Sequence, residues 1–218
     1  NPYAGRDPRL NHFVVLNGST AGPNNSVIST AADGNSNDAL NRVETSTRTG
    51  YYLRKLLRQD VNLNPNSTNQ QVHMKPRIRY TEIFLIYAEA ANEAFGPAGS
   101  GAAGYSAYDV IKAIRQRAGI GLENGDTYLE SIKGDQNAMR QLIRNERRIE
   151  LSFEGFRFWD LRRWNANLTE TAKGISIEGG EHEVMNVENR VYNDYMIYGP
   201  VPYSETLKFS ELKQNTGW

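Results

Sequence analysis

Two carboxylates four residues apart, Glu150 and Glu154, stand in the run Asn145 to Asn165, NERRIELSFEGFRFWDLRRWN. On a helix they share one face, the arrangement from which a glycoside hydrolase could draw its acid and its nucleophile. A general acid needs a raised pKa, however, and arginines on either side would depress it. Scaffold is the better reading. Arg147 with Glu150, Glu154 with Arg157, and Asp160 with Arg163 are each three apart and can pair on a helix surface. Trp159 and Arg163 are four apart, so a guanidinium can lie over an indole.

A second constellation has calcium-loop spacing. Asp33, Asn35, Asn37, Asn41 and Glu44 occupy its positions 1, 3, 5, 9 and 12. Position 6, where the loop needs Gly for its sharp turn, is Asp38, and no clear helix precedes it. Asx-rich turns generate such spacing on their own, so no cofactor is expected, calcium being the one ion the pattern could take. His12, His73 and His182 are scattered without metal-ligand spacing, and the absence of cysteine excludes disulfides and thiol catalysis.

The remaining bounds are broad. A chain of 218 residues with 39% hydrophobic and 23% charged residues can build one sizeable core. Its formal net charge of zero gives no reason to expect nucleic acid or an anionic membrane surface. No apolar run reaches the roughly 18 residues of a membrane helix; the longest, Ile83 to Ala91, is broken by Glu89. The opening Asn1-Pro2-Tyr3 resembles no natural start, which suggests a C-terminal piece of something longer.

The elements that must position these groups fall into three stretches. Residues 1–75 read as loop-rich. Asn1 to Arg9 is a loop, His12 to Leu16 is extended, Asn17 to Asn37 and Gln59 to Gln71 are polar loops, and Thr49 to Leu57 could be strand or helix. Residues 76–165 form a helical core. Arg79 to Phe95 is the clearest helix, with an apolar stripe of Ile83, Tyr87, Ala90, Ala91 and Ala94, and Gly96-Pro97 stops it. Ser106 and Asp109 form a capping box for a second helix with Val110, Ile111 and Ile114 on its buried face, ended by Gly119.

Such a pair looks like a tetratricopeptide-type hairpin without a second copy at the usual period, and it should pack on the helix carrying Glu150. In that helix Met139, Leu142, Ile143, Ile149, Phe153 and Phe156 recur at helical spacing, and Gly155 ends or bends it before a short helix from Phe156 to Trp164. Gly121 to Asp135 is a polar linker with short helical turns. Residues 166–218 read as an irregular C-terminal segment. Lys173 to Glu183 is a hairpin or loop there, Arg190 to Tyr203 is extended, and Trp218 packs back on the body.

Four blocks carry a resemblance. NPYAGRDPRL, RIRYTEIFLIYAEAANEAFG, ERRIELSFEGFRFWDLRRWN and VPYSETLKFSELKQNTGW resemble, in order, the C-terminal half of the SusD/RagB family. They cover about a third of the residues, and Thr216 stands where the family usually has Pro. The resemblance implies a mainly α, SusD-like fold of tetratricopeptide-type helical hairpins packed with long irregular loops and a few short strands. It also implies a non-catalytic protein, lipid-anchored through an upstream segment at the outer-membrane surface. Such a protein would bind oligosaccharide or another nutrient and deliver it to a SusC-type TonB-dependent transporter.

The motif residues themselves transfer as fold determinants and not as ligand contacts. For a glycan site the loops are the better place, where an aromatic face can lie against a sugar with amides beside it. Tyr51, Asn35 and Asn37 are the candidates. The alternative reading is a tetratricopeptide-like scaffold for a protein or peptide.

Overall fold

The computed structural model describes residues 2–62 and 66–218; Asn1 and positions 63–65 of the expected loops lie outside the described residues. Three helices enclose the core: α2 (Tyr80–Phe95), α3 (Ala107–Arg117) and α5 (Gln136–Glu150), each in contact with the other two. A one-turn α1 (Leu10–Phe13) precedes them, α4 (Thr127–Ser131) bridges α3 and α5, and α6 (Phe156–Arg163) follows α5. Leu85, Ala88, Ile111, Leu129, Met139 and Ile143 are buried at their centre. The alanines of α2 let the neighbouring helices approach closely, as the hairpin reading requires.

Of the expected α2 stripe, Ala91 alone is buried. Thr81, Leu85, Ala88, Ala91 and Asn92 face inward, whereas Ile83, Ala90 and Ala94 are exposed and Tyr87 is half-buried. The helix is apolar on two faces, so periodicity cannot say which one packs. Asn92 settles the matter at the far end. Its Nδ2 donates to the Gln136 backbone carbonyl and its backbone carbonyl accepts from Gln136 Nε2, which joins α2 to the start of α5.

The boundaries of α3 and α5 follow from local chemistry. Ser106 and Asp109 form the expected capping box. Asp135 caps α5 by accepting from the amides of Asn137 and Ala138. The chain breaks at Leu151, earlier than expected, through a turn with Phe153 at φ 65° and Gly155 at φ 91°. Phe153 therefore leaves the helical stripe and is exposed.

The first stretch contains two small antiparallel pairs. β1 (Val14–Val15) pairs with β4 (Tyr52–Leu53), and β2 (Thr20–Ala21) pairs with β3 (Ser26–Val27). Of the two readings for Lys173 to Glu183, hairpin or loop, the structure has the hairpin, and a longer one: β5 (Ala172–Glu178) with β6 (Glu181–Glu188). Gly179 and Gly180, at φ 55° and 85°, make the two-residue turn that such hairpins favour. β6 is too polar to announce itself as a strand, and pairing rather than composition defines it.

This hairpin docks on the loop-rich stretch. Ile175 and Ile177 are buried, the Ala32 amide donates to the Ile177 carbonyl, and the Ile175 amide donates to the Thr49 carbonyl. Gly50 permits the approach, because a Cβ there would lie 2.2 Å from the Ile175 carbonyl oxygen. After α7 (Tyr203–Thr206) the tail returns, with Trp218 Nε1 donating to the Tyr198 carbonyl and its ring against Tyr195.

Candidate ligand-binding surface

The acidic face of α5, with Glu154 in the turn after it, is a hub of ion pairs. Fully buried Glu146 accepts from Arg9 at 2.5 Å. Glu150 receives Arg9 at 2.9 Å, Arg79 at 3.1 Å and Arg117 at 2.6 Å. Glu154 receives Lys55 at 2.6 Å and Arg79 at 2.8 Å. The pairs expected within the helix run across the fold instead. Arg147 grips Asp160 in two hydrogen bonds of 3.0 Å, and only Asp160 with Arg163 closes as the spacing allowed. Arg163 lies over Trp164, not Trp159, which is exposed.

This geometry excludes Glu150 and Glu154 as the acid and base of a hydrolase. Burial raises the Glu150 pKa, but the Arg9 hydrogen bond, the Arg117 charge and Arg79 outweigh it and hold the carboxyl below its ordinary value. Glu154 is likewise buried yet held low by Arg79 and Lys55. Both stay ionised at neutral pH, so neither can donate a proton as a general acid. Their role is to tie Arg9, Lys55, the Arg79 N-cap of α2 and the end of α3 to the end of α5 and the turn after it.

The proposed sugar-facing residues lie on the loop against the β5–β6 hairpin. Tyr52 is the packing member of the tyrosine pair, its hydroxyl accepting from the Thr47 amide and donating to the Asp38 carbonyl. Tyr51 is half-buried, with its ring 6.4 Å edge-on from Tyr3. The Tyr3 ring is 5.8 Å from His182 on β6, and burial with the Tyr51 hydrogen bond pushes the Tyr3 phenol above its ordinary value. Three aromatic rings far apart in sequence thus share one surface. Tyr3 and His182 went unnoticed in the sequence because only the docked hairpin brings them to Tyr51.

Asn35 and Asn37 are exposed on the same loop, and the Asn37 backbone carbonyl accepts from Ser46 at 2.6 Å. Among the residues of the calcium-like spacing, Asp33 accepts from the Gly179 amide at 2.9 Å and Asn41 adopts φ 55°. Asp38, at the spacing's sixth position, accepts from the Ser36 hydroxyl. The loop spends these groups on holding its own turns and the hairpin tip.

Comparison with known proteins agrees with this architecture. The SusD family model matches residues 1–218. SusD-like protein P38 of Formosa agariphila is 28% identical over 156 residues, 71% of this chain and 26% of P38. SusD-like protein P2 of the same organism is 38% identical over 140 residues, 63% of this chain and 24% of P2. A crystal structure of a SusD-like protein from Bacteroides fragilis matches 99% of this chain and 40% of its own, with TM-score 0.76 and 29% identity. That of a SusD-like carbohydrate binding protein from the same organism matches 95% and 41%, with TM-score 0.72 and 25% identity. This chain thus spans about a quarter of those curated relatives. With the family model matched along all its residues and the helical hairpin, hub and docked hairpin in place, the chain belongs to the SusD family.

Proposed function

We propose that this chain is the C-terminal portion of a non-catalytic protein that binds oligosaccharide or another nutrient at the cell surface and delivers it to a SusC-type TonB-dependent transporter. The observation that carries this reading is the SusD family match over residues 1–218. The surface of Tyr3, Tyr51 and His182, with Asn35 and Asn37 exposed on the loop that precedes Tyr51, supports it. Aromatic faces suit the C–H face of a pyranose, and amides suit its hydroxyls. Among the described residues no helix is long and apolar enough to cross a membrane. Attachment to the outer membrane in this reading is through a lipid on a segment outside this chain. The reading calls for no cofactor.

The test is a glycan array probed with the intact ectodomain beside this 218-residue piece. Tyr51→Ala should weaken glycan binding about tenfold, the equivalent of about 1.4 kcal/mol. Wild-type affinity in that variant would remove Tyr51 from the site.

A second reading, a scaffold for a protein or peptide, draws on the outer face of α2. Tyr80, Ile83, Phe84 and Ile86 are exposed there, and Tyr80 and Phe84 border a cleft of about 420 Å³ against α3. An apolar groove of this kind accepts an amphipathic helix. Silence on the array together with binding to the transporter's extracellular loops would favour it.

A further inference from the structure

A cleft of about 440 Å³ lies between α6 and the chain that leaves β6. Arg157, Phe158 and Arg162 line it from α6, and Glu188, Arg190 and Tyr192 from the other side. Three guanidiniums therefore face one carboxylate. Arg9, Arg79, Arg115, Arg117, Arg147 and Arg163, by contrast, each meet a carboxylate at 3.1 Å or less. Among the described residues no carboxylate comes within 4.0 Å of Arg157, Arg162 or Arg190.

The three are held ready in different ways. Arg162 lies 3.4 Å from the Phe158 ring centroid and 5.8 Å from that of Tyr192, with Nη1 donating to the Phe158 carbonyl at 3.3 Å. Arg157 is half-buried. Burial, with the Arg148 and Arg190 charges, holds its guanidinium below its ordinary value against the opposing pull of Asp160 and Glu170. Arg190 is exposed at the rim. A half-buried guanidinium with no carboxylate in contact is costly, and an arriving anion relieves that cost. The planar fork of Arg matches a carboxylate or sulfate in two parallel hydrogen bonds. Phe158, also exposed, offers an aromatic face beside them.

We propose that this cleft binds an anionic sugar residue, through a uronate carboxylate or a sulfate ester, so that the glycan taken up is an acidic one. The proposal rests on the glycan-binding reading above. Arg157 and Arg190 hold the anion, Phe158 and Tyr192 flank the ring, and Glu188 accepts from its hydroxyls. The site is separate from Tyr51. His182, the second residue of β6, and Glu188, its last, are roughly 20 Å apart at about 3.3 Å per residue.

Affinity electrophoresis of the intact protein against polygalacturonate, a sulfated carrageenan and a neutral galactan tests it. One or both anionic polymers should retard the protein, the identity of the polymer separating carboxylate from sulfate, and retardation should weaken with added salt. Arg190→Gln and Arg157→Gln should each weaken that binding about tenfold or more without altering retention by neutral polymer. Arg157→Lys should restore part of it. Arg190 is exposed, so its variant reports on binding even if Arg157→Gln misfolds. Binding of neutral galactan alone, or equal binding by wild type and both Gln variants, overturns the acidic subsite and leaves glycan binding standing. Retention by none of the three, with no signal on the array, overturns the glycan reading and this cleft with it.

Discussion

Glu150 receives three guanidiniums, from Arg9, Arg79 and Arg117, and accepts them from three separate parts of the chain. The amide of Glu150→Gln would remove the charge and point a donor at one of them. Removing one partner of a buried pair typically costs about 3–5 kcal/mol, and a loss in that range is expected in urea denaturation. A change below about 1 kcal/mol would mean that the arginines are satisfied by Glu146 and Glu154 alone. The composition of the hub is visible in the sequence, but its wiring is not. Arg147 had Glu150 within helical reach and took Asp160, thirteen residues away, because α6 folds back over the face on which Arg147 lies. Helical spacing shows which pairs can form. Packing selects among them.

At the scale of elements, the local signals were strong wherever the backbone itself had to be satisfied. Ser106 is buried and accepts from the Asp109 amide while Asp109 accepts from the Ser106 amide, so both ends of the box satisfy donors that the helix leaves open. Ser106→Ala should destabilise the protein by about 0.5–2 kcal/mol, measured as a lowered thermal midpoint, with Ser106→Thr near wild type. The face of α2 was illegible for the opposite reason. Two apolar faces satisfy the same periodicity, and the choice fell to the Asn92–Gln136 pair and the packing of α5. The β5–β6 hairpin was legible only at its Gly179-Gly180 turn. Its strands exist because Ile175 and Ile177 find the loop around Thr49 and Gly50.

The whole molecule is held by carboxylates that are paired when folded. Glu150, Glu154, Glu89, Asp7 and Asp126 all have pKa values below their ordinary ones, in each case because arginine, lysine or backbone donors outweigh burial. Groups of this kind stabilise the fold above the unfolded pKa, roughly 4 to 4.5, and lose that contribution as pH falls through the lower folded values. The urea midpoint should therefore be nearly flat from neutral pH down to about 5 and then fall steeply toward pH 3. Because these pairs join Asp7 and Arg9, Lys55, α2, α3, α5 and α6, the loss should be cooperative by circular dichroism and tryptophan fluorescence together. Separate transitions would show that the hub does not unite these segments.

The sequence by itself determined the mainly helical class, the helix ends set by caps and glycines, the family, and the reading of the Glu150 and Glu154 region as scaffold. Each of these depends on neighbours within a turn or two, or on motif order along the chain. Only the tertiary structure decided which face of α2 is buried, which arginine meets which carboxylate, and that Tyr3, Tyr51 and His182 share one surface. It also decided that Arg157, Arg162 and Arg190 line one cleft in which, among the described residues, no carboxylate comes within 4.0 Å of them. These outcomes depend on contacts between residues up to about 180 positions apart, and such contacts are set by how elements pack, which no local spacing encodes.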